Sequence, residues 1–277
     1  MASSSPKLGV IAGGGTLPGR LVAACRASGR DHFVIAFEGI TEVGAIGDAP
    51  RVWVRLGAVS RTLGALREAA VDEVVMAGPV GRPSLRSLGL DARALKMLVS
   101  RGGGEPSDDA ILSRIVRELE SEGFRVVGID DILGDLLAPA GRLGARGPDA
   151  DADADIALGM RVVAALGAHD VGQAAVVQQG IVLGVEAVEG TDALIERCAD
   201  LRRPGPGGVL VKRKKLAQER RADLPTIGPR TVAGARAAGL RGIAVEAGET
   251  LIVDRATVIH AADEAGLFVV GLIAGDD

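Results

Sequence analysis

The chain has no tyrosine, one tryptophan and four phenylalanines, so aromatics make up only 2% of its 277 residues. That excludes the stacking platforms on which single-stranded nucleic acids are held. It also excludes any reductase that relies on a Tyr-x-x-x-Lys dyad. Cationic excess is missing as well: 32 Lys and Arg stand against 36 Asp and Glu, a formal charge of −4. A general nucleic-acid binder carries the opposite sign, so no nucleic acid is expected as a partner. The two cysteines, Cys25 and Cys198, lie far apart, each inside a helical pattern. They make no C-x-x-C or metal spacing and read as reduced, packed thiols. His32, His169 and His260 are isolated from one another, so neither a zinc site nor a Ser-His-Asp triad is indicated. Long apolar runs are absent too. "GLFVVGLIAG" is about half of what a bilayer span needs, and "MASSSPK" lacks the apolar centre of a signal peptide. The expected location is the cytoplasm, with any membrane contact peripheral.

What is present is enough apolar residue, 47%, to build a real core, in a chain long enough for two modest domains or one large one. The first half alternates short apolar runs with helical patterns. "LGVIA", "HFVIAF", "RVWVRL", "EVVMAG" and "FRVVGI" read as strands. "PGRLVAACRASG", "RTLGALREAA", "LDARALKMLVS" and "AILSRIVRELESEG" read as helices, the last with Ser107 as N-cap after the breaker "RGGGEP". This alternation predicts a Rossmann-like parallel sheet covered on both faces over residues 1–136. From 137 to 155, "LAPAGRLGARGPDADADAD" shows no period and reads as a linker. Its Asp run fails as a calcium loop, because Ala154 or Ile156 stands where glycine is needed and no Glu follows at the twelfth position. Residues 156–277 predict a second, mixed α/β domain. There "QAAVVQQGIVLGV" folds back at Gln179-Gly180, and "GIAVEAGETLIVD" reads as a further hairpin.

The segment "GVIAGGGTLPGRL" ends a strand and opens a helix. Gly13 and Gly15 fit the dinucleotide fingerprint, and Glu38 stands where a ribose-binding acid belongs, but Pro18 holds the third glycine position. Gly14 and Gly19 have P-loop spacing, but Arg20 and Leu21 replace the lysine and the magnesium-binding hydroxyl. What survives is a backbone that a diphosphate could approach, or else a tight turn with no ligand.

The stretch "VKRKKLAQERRADLPTIG" concentrates Lys212, Lys214, Lys215, Arg220 and Arg221 in an acidic chain, with Asp223 directly after them. A carboxylate among cations suits a metal ligand or a base at a phosphorylated substrate; a solvated charged loop would look the same. Thr191 or Asp192 could cap a helix, or that helix start could take a phosphate. Asp108 and Asp109 could complement a helix dipole or ligate a metal.

Taken together, "KLGVIAGGGTLP", "MAGPVGRP" (76–83), "SDDAIL" (107–112), "QGIVLGVEAVEGTDALI" (179–195) and "ADLPTIGP" (222–229) resemble the LpxI-type UDP-2,3-diacylglucosamine pyrophosphatases of lipid A biosynthesis. The resemblance covers nearly the whole chain apart from 137–155. It implies hydrolysis of UDP-2,3-diacylglucosamine to UMP and 2,3-diacylglucosamine 1-phosphate (lipid X), with water attacking the α-phosphorus and a divalent cation, usually Mg²⁺, assisting. It implies Asp223 as the key acid, with Asp108 and Asp109 as further metal candidates. The candidate substrate contacts are Gly13, Gly14, Gly15, Leu17, Pro18, Gly190, Thr191, Asp192, Lys212, Lys215, Gln218, Arg221 and Thr226. The resemblance also allows self-association. Two departures stand out: Lys215-Leu216-Ala217-Gln218-Glu219 replaces Lys-Pro-x-Gln-Asp, and no Asn lies beside Pro79. The alternatives are a nicotinamide-dependent oxidoreductase, argued from Gly13, Gly15 and Glu38, and a non-catalytic UDP-sugar or lipid binder.

Overall fold

The computed structural model describes residues 5–81, 89–98, 108–216 and 218–273. Ser107, all of "RGGGEP" and the end of "MAGPVGRP" lie outside the described residues. The chain divides into two units. The first comprises Met1–Gly134 together with Glu219–Asp223; the second comprises Asp135–Gln218 and Leu224–Asp277.

The first unit runs β1 (Leu8–Ala12), α1 (Leu17–Ser28), β2 (His32–Phe37), α2 (Val43–Ile46), β3 (Arg51–Val54), α3 (Val59–Glu68), β4 (Glu73–Ala77), α4 (Ala92–Leu98), α5 (Asp108–Ser121) and β5 (Arg125–Val126). The sheet order is β3-β2-β1-β4-β5, and every pair is parallel. Val10 sits opposite Val34 on one side and Val75 on the other. The strands read as unbroken apolar runs because helices cover both faces of a parallel sheet, which leaves no wet side to alternate toward. Leu8, Val10, Ile35, Val54 and Val74 are fully buried. Gly29 ends α1 in the left-handed region, at φ 68°.

The second unit contains β6 (Gly141–Arg142), α6 (Ala150–Ala168), β7 (Ala174–Gln178), β8 (Ile181–Val185), α7 (Gly190–Ala199), β9 (Val209–Lys212), β10 (Thr226–Ile227), α8 (Pro229–Ala237), β11 (Gly242–Glu246), β12 (Leu251–Ile252), α9 (Arg255–Ala265) and β13 (Phe268–Leu272). Its main sheet has the order β6-β13-β11-β9-β7-β8. The strands β9, β11 and β13 are parallel, whereas β6, β7 and β8 each run antiparallel to a neighbour. Leu210 faces the cluster built with α7, α8 and α9, while Val209 and Val211 face α6.

Two expectations need correction here. Residues 137–155 do not behave as a linker. The Ala138 amide bonds to the Thr250 carbonyl at 2.8 Å, and β6 pairs with β13. The Asp run forms the first turns of α6. Asp149 caps the Ala152 amide at 2.9 Å, and Asp151 and Asp153 sit in the first turn, where acids favour the helix dipole. The buried stripe Ala152, Asp155, Ile156, Gly159 and Val163 has helical spacing. It was hidden because Asp155 is polar. Its carboxylate accepts from the Gln179 and Gly180 amides, at 3.0 and 2.7 Å, and so anchors the β7–β8 turn. That turn has two left-handed residues, Gln179 at φ 53° and Gly180 at φ 72°, as a two-residue hairpin requires.

The second correction concerns β11 and β12, which do not form a hairpin. β11 is buried along its length between β9 and β13, so both its edges are taken. β12 instead pairs in parallel with β10 in a separate two-stranded sheet. Among the described residues no helix is long and apolar enough to cross a membrane. Cys25 and Cys198 are free and buried, and burial pushes both thiols above their ordinary pKa.

Candidate active site

In the first unit the chain order reverses between β1 and β4, the place where open α/β sheets take ligands. The glycine loop leaves β1 at that divide. What approaches Gly13 is backbone. Its amide bonds to the Ala77 carbonyl at 2.7 Å, and a Cβ there would overlap the Gly78 carbonyl. The Gly14 amide bonds to the Pro79 carbonyl at 2.9 Å. Gly15 is exposed and left-handed, at φ 72°, and a Cβ there would touch only the Pro79 ring, at 3.8 Å. Pro18 is buried in the first turn of α1, where its missing N–H costs nothing, and Leu17 beside it is half-buried. Glu38 directly follows β2 and lies 3.8 Å from the Arg55 guanidinium.

The segment Glu219–Asp223 also belongs to the first unit. It folds into one turn, with the Ala222 and Asp223 amides both 2.9 Å from the Glu219 carbonyl. Arg220 donates to Asp130 at 2.8 Å. Arg221 grips Glu219 at 2.8 and 3.0 Å and reaches Glu120 on α5 at 2.5 Å. These bonds raise the Arg221 pKa further, the Glu219 bond most, and the same bond holds Glu219 below the usual carboxylate range. Arg221, expected as a phosphate contact, is thus held by two carboxylates. Ala222 packs against the core cluster that includes Val116, Leu119 and Val126. Asp223 itself is half-buried. Asp109 is buried in the first turn of α5, and the side chain of Asp108 lies outside the described residues.

In the second unit, three expected residues meet. Lys212, at the end of β9, is buried; its ammonium donates to the Thr191 hydroxyl and the Thr226 carbonyl, both at 2.9 Å. The Thr191 hydroxyl donates to Glu186 at 2.7 Å, and the other Glu186 oxygen accepts from the Gln173 amide at 3.1 Å. A cation is thereby fixed in place, with a carboxylate one hydrogen bond further back. Gly190 opens α7 at φ 81° beside Thr191. Asp192 is exposed and pairs with Arg230. Lys215 pairs with Asp170 at 2.5 Å, and its amide donates to Gln218 at 3.1 Å. The Gln218 amide group reaches Gln173 at 3.3 Å.

Sequence reasoning missed Glu186, Asp130, Glu120 and Asp170. Each is an unremarkable acid in its own segment and gains meaning only from a cation 26 to 101 residues away. No group of three or more His, Cys, Asp or Glu that could hold a metal occurs among the described residues.

The chain matches the family described as the LpxI N-terminal domain over residues 7–136 and the LpxI C-terminal domain over residues 139–270. It is 44% identical over 273 residues to a Caulobacter vibrioides protein described as UDP-2,3-diacylglucosamine pyrophosphatase LpxI, covering 96% of this chain and 97% of that one. With both domains matched in order and the likeness running end to end, the chain belongs to the LpxI family.

Proposed function

We propose that this chain hydrolyses the pyrophosphate bond of UDP-2,3-diacylglucosamine, giving UMP and 2,3-diacylglucosamine 1-phosphate (lipid X). The observation that carries this reading is the 44% identity across 96% of the chain to a relative whose description names that activity. In the reaction, a water oxygen bonds to the α-phosphorus and the anhydride P–O bond breaks. The bonding pair leaves with the lipid 1-phosphate, and the water's proton passes to a base or to solvent. Charge builds on the phosphoryl and leaving oxygens, so fixed cations and positioned donors lower the barrier.

The buried Lys212 ammonium, held by Thr191 and the Thr226 carbonyl, is such a cation in the second unit. In the first unit, Gly15 is exposed at the end of the glycine loop, and Asp223 brings a half-buried carboxylate on a closed turn. Hard oxygen donors of this kind suit Mg²⁺, which is commonly held by one or two carboxylates together with substrate phosphates and water. Asp223 is the carboxylate we assign to it. Bound there, a divalent cation would draw charge off the phosphoryl oxygens and acidify water. A diacylated substrate partitions to a bilayer, so the reading places the chain in the cytoplasm with peripheral contact to that membrane.

The test is turnover of UDP-2,3-diacylglucosamine with Mg²⁺ in ¹⁸O-labelled water. The reading predicts one labelled oxygen in UMP and none in lipid X. Label in lipid X would move the attack to the β-phosphorus, and no product from folded protein would remove the reading.

A further inference from the structure

The five residues Glu219–Asp223 group with the first unit, while their immediate neighbours Gln218 and Leu224 group with the second. The acid assigned to the reaction therefore sits at the end of a segment held on the first unit by side chains. Arg220 donates to Asp130 at 2.8 Å, Arg221 donates to Glu120 at 2.5 Å, and Ala222 packs into the first unit's core. The Asp130 carboxylate is mostly buried, and a Cβ on Gly128 would come within 2.5 Å of its Oδ1, so the missing side chain at Gly128 leaves room for it. The next residue, Asp131, accepts the Gly128 amide at 2.9 Å and stiffens the same loop.

We propose that Asp130 is the positioning residue for Asp223, acting through Arg220, with Glu120 as a second anchor acting through Arg221. A charge-assisted bond to a buried carboxylate is stronger than a neutral one and fixes direction as well as distance. One such bond, from Arg220 to Asp130, and a more exposed one, from Arg221 to Glu120, flank the turn whose Glu219 carbonyl accepts the Asp223 amide. With the pins in place, the carboxylate has one setting. Without Asp130, the turn is released at Arg220, and the acid samples positions from which it does not react. A misplacement of about 1 Å is enough to cost roughly a hundredfold in rate.

The inference rests on the reading of Asp223 given above, so the test carries one readout that needs no turnover. Asp130→Ala, Asp130→Asn and the swap Asp130→Arg with Arg220→Asp are compared with wild type. Backbone hydrogen exchange is followed at Ala222 and Asp223, and kcat and KM for UMP release are measured. The expected result for Asp130→Ala is exchange at these two amides faster by about tenfold or more. Its kcat should fall by about 10- to 100-fold with KM nearly unchanged. Asp130→Asn, which keeps an acceptor, should fall between, and the swap should restore both readouts in part. Unchanged exchange in Asp130→Ala would overturn the pin whatever the activity. Faster exchange with unchanged kcat would overturn the positioning role; Asp223→Ala, run alongside, then shows whether the reading of Asp223 fails with it. A variant that fails to fold is replaced by the swap, whose failure to restore slow exchange would equally overturn the proposal.

Discussion

The glycine loop of the first unit and Lys212 of the second are both read from the sequence as candidate phosphate contacts, and the structure uses them differently. Gly13 meets the backbone of Gly78, and Gly14 bonds to Pro79, so two of the three glycines serve the packing of β1's end against β4's end. At Gly15 a Cβ would meet only the Pro79 ring, at an ordinary 3.8 Å. Lys212, by contrast, is buried with its ammonium aimed at a hydroxyl and a carbonyl, and an acid stands behind the hydroxyl. A buried charge is costly unless paired and hydrogen-bonded, so a cation held this way points to chemistry more directly than a glycine does. Close approach of backbone to backbone and of backbone to ligand leave the same residue in the sequence.

The largest expected effect lies on the lysine side. Lys212→Met keeps the stem and removes the ammonium. The rate of UMP release should fall by about 10²- to 10³-fold, the scale of losing one positioned electrostatic donor. A change of less than about threefold, in a site where one donor is worth this much, would reduce Lys212 to a packing element and erase the contrast.

Next come the glycines, compared with each other. Gly13→Ala places a methyl against carbonyl atoms that cannot move aside, and should destabilise the first unit by about 3 kcal/mol in urea unfolding. Gly15→Ala meets the Pro79 ring only at ordinary contact distance, 3.8 Å, so its left-handed backbone sets the cost, about 1 kcal/mol. Equal costs would mean that close packing is not what selects glycine at Gly13. A larger effect of Gly15→Ala on KM than on stability would sharpen its role at the substrate.

The smallest effect concerns the segment that carries Asp223. Bonding to Arg221 holds the Glu219 pKa below its ordinary value. Stability from a depressed carboxylate is present above its unfolded pKa and lost as pH falls through the folded one. Glu219→Gln should therefore be slightly less stable than wild type at neutral pH. The gap should close as pH drops below about 4.3. A gap that is constant with pH, read from unfolding free energies between pH 7 and pH 3, would mean that the ion pair contributes nothing.

The strands of the first unit were legible because "LGVIA" and "HFVIAF" are buried on both faces and admit few alternatives. The Gln179-Gly180 turn was legible from its residues. The start of α6 was not, because Asp155 looks like surface until its hydrogen bonds to Gln179 and Gly180 are seen. The β11–β12 hairpin was misread because β12's partner, β10, lies in an earlier segment, where local pattern carries no information about pairing. The same limit applies to the candidate site. Lys212, Thr191 and Asp223 stand in distinctive local blocks. Glu186 and Asp130 do not, since the fold brings Arg220 to Asp130 and, to Glu186, the Thr191 hydroxyl that Lys212 bonds in turn.

The account stands or falls on Asp223 and a divalent cation acting on a diphosphate. The decisive measurement is UMP and lipid X release from UDP-2,3-diacylglucosamine by wild type with Mg²⁺, by wild type with EDTA, and by Asp223→Ala with Mg²⁺. The account predicts stoichiometric UMP and lipid X from the first. It predicts a loss of about 10²-fold or more in each of the other two. Undiminished release in EDTA, or by Asp223→Ala with a wild-type fold, would contradict it.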